Sequence, residues 1–96
     1  MMTILIIEDQ EDVSLMLAEA LTCAGYRVKS SFTGVDGIQE IKNHSYDLIL
    51  LDIMLPYKSG DEILREMREF SDTPVIVISA KDRVGTKIDP VEAGRG

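Results

Sequence analysis

Two short apolar runs in this sequence each end on carboxylates. Ile4-Leu5-Ile6-Ile7 runs into Glu8-Asp9, and Leu48-Ile49-Leu50-Leu51 runs into Asp52. Three carboxylates brought together repel one another strongly unless a cation shares the site. Hard oxygen ligands of this kind suit Mg2+, which takes one or two carboxylates and keeps several waters. A metal held this way also neutralises a phosphoryl group arriving at one of the acids, and a carboxylate can accept that group as an aspartyl phosphate. A plainer role exists: acids at strand ends often cap the following helix, and Glu11 or Asp12 fits that role as well. Capping accounts for one lone Asp better than for Glu8-Asp9 and Asp52 together.

The elements that must position these acids follow from the hydrophobic period. Met2 to Ile7 is short, apolar and β-branched, as in a strand buried on both faces. From Glu11 the period changes: Val13, Met16/Leu17, Ala20/Leu21 and Ala24 paint one helical stripe, and Gly25 supplies a left-handed C-cap. Tyr26 to Phe32 is a more polar strand, suited to a sheet edge. Thr33, three residues before Asp36, is an N-cap for a helix with Val35, Ile38 and Ile41 as its stripe. Tyr46 to Leu51 is the third strand, followed by a loop from Ile53 to Ser59 punctuated by Pro56. Ser59-Gly60-Asp61-Glu62 matches a capping box that opens a helix burying Ile63/Leu64, Met67 and Phe70. Pro74 opens a fourth strand, Val75 to Ile78. Asp82 to Ile88 reads as a helix that Pro90 interrupts, and Asp89-Pro90-Val91-Glu92 offers a fresh helix start.

Strict strand–helix alternation implies an α/β fold, a doubly wound parallel sheet with helices on both faces. With right-handed crossovers, the flavodoxin-like order 2-1-3-4 puts the polar second strand outside and makes strands one and three neighbours. Ligands in such sheets bind beyond the carboxyl ends of the strands at that switch point, where Glu8, Asp9 and Asp52 fall.

Taken together, Ile4-Leu5-Ile6-Ile7-Glu8-Asp9, the run Asp47 to Asp52 followed by Ile53-Met54-Leu55-Pro56, then Gly60, then Thr73-Pro74 through Ser79-Ala80 resemble the receiver domain of two-component response regulators. The resemblance runs from Met2 to about Ala93. It implies that Asp52 is the phosphoacceptor, served by a phosphohistidine on a sensor histidine kinase. It further implies that Glu8, Asp9, Asp52 and the backbone carbonyl of Met54 hold Mg2+. Pro56 and Gly60 would shape the loop after the acceptor, Ser79 would be the switch hydroxyl, with the small Ala80 leaving room beside it, and Met54 and Lys81 would tune the lifetime of the phosphate.

The resemblance also calls for a fifth strand carrying a lysine, then a fifth helix. Neither is legible here: Lys81 follows strand four, and Lys87 and Arg95 are misplaced for that role. The expectation is a receiver domain over residues 1–96 that is C-terminally incomplete, with switching impaired by the missing charge-assisted partner. Val75 to Ile78 would then be an apolar edge that invites a homodimer or a swapped oligomer.

Composition narrows the alternatives. Ten Lys/Arg against seventeen Asp/Glu give a net charge of −7, which argues against nucleic-acid binding and against an anionic membrane surface. The one cysteine, Cys23, excludes an internal disulfide framework and reads as a small buried hydrophobe. No apolar run approaches the ~20 residues of a membrane span, so the chain reads as cytoplasmic. Met16 and Met67 fall on core stripes, whereas His44 and Lys58 read as solvated surface residues. A haloacid-dehalogenase-like phosphatase would need an acid at the position of Met54. A flavodoxin-type FMN site would need a Ser/Thr/Gly loop where Glu8-Asp9-Gln10-Glu11-Asp12 stands. The remaining rival is a non-catalytic interaction or assembly domain that keeps the acids without switching.

Overall fold

The computed structural model describes residues 2–53, 55 and 59–78. Seven elements alternate along them: β1 (Thr3–Ile7), α1 (Glu11–Cys23), β2 (Arg27–Ser31), α2 (Gly34–Asn43), β3 (Leu48–Asp52), α3 (Gly60–Met67) and β4 (Val75–Ile78). The four strands form one parallel sheet in the order β2-β1-β3-β4, the flavodoxin-like arrangement expected from the alternation.

β1 and β3 occupy the centre of the sheet, and both of their faces are covered. Leu5, Ile7, Ile49 and Leu51 pack with Ile38 and Ile41 of α2 and Ile63 and Met67 of α3. Ile4, Ile6 and Leu50 point the other way, toward Leu17, Ala18 and Leu21 of α1. Ile63 and Met67 are fully buried one helical turn apart, so trimming either to alanine would cost about 2–5 kcal/mol. Among the described residues β2 lies outermost on one side, where its polar residues meet solvent, and β4 on the other, with Ile76 51% exposed.

Helix ends follow their sequence signals. The Thr33 hydroxyl accepts the Asp36 N–H at 3.0 Å. At α3, Ser59 Oγ accepts the Glu62 N–H and Glu62 Oε1 accepts the Ser59 N–H, a complete capping box. Gly25 adopts φ +100°, the left-handed turn that ends α1. Neither Glu11 nor Asp12 caps α1. The N-cap is Gln10, and both acids lie in the first turn, where they favour the helix dipole.

Six side chains expected inside are not, and two of them, Ala20 and Ala24, are exposed on the stripe expected for α1. Met16 is 59% exposed, because the inward line of α1 is Ser14, Leu17, Ala18 and Leu21. Cys23 is exposed, two residues past that line and about 200° around the helix from Leu21. Val35 is 65% exposed, since α2 turns Gly34, Gly37, Ile38 and Ile41 to the sheet. Phe70 is 41% exposed because α3 ends at Met67, and its ring instead lies 5.4 Å from the Lys42 ammonium. Expectations for residues 79–96, including the incomplete C-terminus, fall outside the described residues, and among the described residues β4 pairs with β3 alone.

Candidate metal centre

The register of β1 against β3 brings the acids together. Ile7 pairs with Leu51, so Glu8 and Asp52 emerge side by side at the carboxyl ends of adjacent strands. Glu8 remains tied to β2 through its N–H, which donates to the Ser31 carbonyl at 3.0 Å. Its carboxylate turns back to accept the Gln10 N–H at 2.9 Å, where the chain enters α1. Asp52 is the last residue of β3 and pairs with Ile78, while the next residue, Ile53, donates its N–H to the Ile78 carbonyl. Both acids therefore rest on backbone held from two sides.

Each of Glu8, Asp9 and Asp52 offers a carboxylate oxygen, and the three oxygens lie within 4.8 Å of one another. Glu8 and Asp52 are fully buried and Asp9 is half-buried. Unit charges about 5 Å apart repel by roughly 3 kcal/mol at an effective dielectric of about 20. Three such groups in a partly desolvated notch make a strong site for a small, hard cation. All the donors are oxygens, so Mg2+ fits and a soft thiophilic metal does not.

The α3 side of the notch is set by Gly60. Its N–H donates to the Ile53 carbonyl at 3.1 Å, and a Cβ there would lie 2.7 Å from the Ile53 Cα. Glu8, Asp9 and Asp52 are thus brought together as the strand-end pattern implied. Met54, Pro56, Lys58, Ser79, Ala80 and Lys81 lie outside the described residues. His44 stands at the end of α2, exposed and at the opposite end of the sheet from the acids. Two groups that hold the site were not singled out from the sequence, the Ser31 carbonyl and the Gln10 amide. Both are backbone groups, which residue type does not report.

Comparison with known proteins gives one consistent family. Residues 4–95 match the response regulator receiver domain. The response regulator ArlR of Staphylococcus aureus is 39% identical over 94 residues, covering 98% of this chain and 43% of ArlR. The chain therefore spans less than half the length of the curated relatives it matches. Response regulator protein TrrA from Thermotoga maritima, solved in complex with Mg2+–BeF, superposes with a TM-score of 0.73 at 29% identity, over 82% of this chain and 68% of that one. The complex of histidine kinase ThkA with TrrA contains a chain matching at TM-score 0.79 and 28% identity, over 92% of this chain and 77% of that one. No helix among the described residues is long and apolar enough to cross a membrane.

Proposed function

The chain belongs to the family of response regulator receiver domains, and from that premise we propose that Asp52 accepts a phosphoryl group from the phosphohistidine of a sensor histidine kinase. The observation that carries the reading is the convergence of the Glu8, Asp9 and Asp52 carboxylates within 4.8 Å at the switch point of the sheet. The ThkA–TrrA complex supports a kinase as partner, and the Mg2+–BeF complex of TrrA supports a magnesium-dependent site.

In this reading Glu8, Asp9 and Asp52 would hold Mg2+, with the Met54 carbonyl as the further ligand that the family resemblance implies. The ion supplies positive charge against the carboxylates and the incoming phosphoryl oxygens. An Asp52 oxygen forms the new bond to phosphorus as the phosphorus–nitrogen bond to the kinase histidine breaks, and the electron pair leaves with the imidazole. Glu8 keeps its orientation through the Gln10 amide. Ser79 then takes the role of the hydroxyl that follows the phosphoryl oxygen. In this reading the chain is a cytoplasmic phosphoacceptor receiver, impaired in switching, that turns over no separate substrate.

The test is intact-mass measurement after incubation with acetyl phosphate. The reading expects the gain of one phosphoryl group with Mg2+, lost on chelation and lost in Asp52→Asn. No gain while Mg2+ still binds would favour the non-catalytic interaction domain instead.

A further inference from the structure

A second feature lies at the other end of the sheet. A cleft of about 480 Å³ opens there, lined by Thr3, Arg27, Lys29, Glu40, His44 and Tyr46 among others. Thr3 and Arg27 open β1 and β2, and Tyr46 stands just before β3, so the cleft lies at the amino ends of the strands. The acids lie at the carboxyl ends, roughly 15 Å away along five-residue strands. The cleft is open to solvent on one side.

The charge of the cleft is opposite in sign to that of the chain as a whole. Lys29 is the register partner of Leu5, whose side chain belongs to the α2/α3 core, so Arg27 and Lys29 project on the α2 side of the edge strand. Among the described residues neither cation makes an ion pair. The nearby carboxylates keep their charge but each has one oxygen turned to a donor other than Arg27 or Lys29. Glu40 Oε1 accepts the Tyr46 O–H at 2.5 Å, and Asp47 Oδ2 accepts the Thr3 N–H at 2.8 Å. Burial first, and then the Glu40 hydrogen bond, hold the Tyr46 phenol above the ordinary tyrosine range, so that oxygen of Glu40 stays occupied at neutral pH. Two cations without a carboxylate partner among the described residues, one with the planar fork of a guanidinium, line the same cleft as His44.

We propose that this cleft binds a compact anion carrying a phosphate or carboxylate group, with Arg27 and Lys29 as the recognising side chains. Charge on an edge strand also discourages strand pairing, but that role requires neither a cleft nor the presence of His44 and Tyr46 in its lining. The site is separate from the acidic cluster, which repels the same ligands.

The test is amide-resolved NMR of the full chain without Mg2+, titrated at constant ionic strength with inorganic phosphate and, separately, with citrate. Saturable shifts confined to residues 27–29 and 44–46 are expected with at least one of the two anions, and which one saturates identifies the preferred group. Affinity should fall by about tenfold or more in Arg27→Gln/Lys29→Gln, which changes only exposed side chains. Linear shifts with both anions, or equal affinity in the double variant, would overturn the proposal.

Discussion

Gly60 approaches the carboxyl end of β3 so closely that a Cβ on it would lie 2.7 Å from the Ile53 Cα and 3.0 Å from the Asp52 carbonyl oxygen. Both neighbours are backbone, so no rotamer change relieves the contact. Gly60→Ala must displace either the start of α3 or the strand end that carries Asp52. The expected cost is about 1–3 kcal/mol in urea denaturation, together with slower acetyl phosphate labelling. A pure helix-propensity effect would have the opposite sign on stability, since alanine is the better helix former by about 1 kcal/mol.

Magnesium should stabilise the chain by linkage. At a Mg2+ concentration ten times its dissociation constant the gain is about 1.4 kcal/mol, read as a shift in the urea midpoint. Asp9→Asn removes one of the three converging carboxylates, so most of that gain should disappear while the metal-free chain still melts cooperatively. An unchanged magnesium shift in this variant would remove Asp9 from the ligand set.

Tyr46 gives a pH prediction whose sign is fixed. Its pKa is raised, by burial first and then by the Glu40 hydrogen bond and charge. A raised folded-state pKa contributes stability that is fully present below the unfolded tyrosine value, about 10, and is lost as pH rises through the folded value. The stability advantage of the native chain over Tyr46→Phe should therefore hold from pH 7 to 9 and shrink at higher pH. Equilibrium unfolding of both chains across that range checks it, and a constant difference would contradict it.

The sheet order and the acidic site were legible because both rest on local signals. Each site acid ends a run of Ile and Leu, and parallel order then makes Glu8 and Asp52 neighbours. The caps at Thr33 and Ser59 were legible for the same reason, since donor and acceptor lie three residues apart. Met16, Ala20, Ala24 and Val35 are exposed because periodicity names a stripe before the docking angle chooses its centre, Phe70 because α3 ends at Met67, and Cys23 because residue type alone does not place a side chain on a helix. In α2 the choice fell on Gly34, Gly37, Ile38 and Ile41, leaving Val35 outside. Arg27 and Lys29 read only as edge polarity, because their cleft exists only once α2 and the segment at His44 to Tyr46 are placed beside β2.

The most direct measurement is fluorine NMR of the chain with beryllofluoride, with and without Mg2+. Asp52 as a magnesium-dependent phosphoacceptor predicts a bound fluoroberyllate resonance that requires Mg2+ and is absent from Asp52→Asn. Absence of a bound resonance at saturating Mg2+, or its persistence in Asp52→Asn, would contradict that assignment.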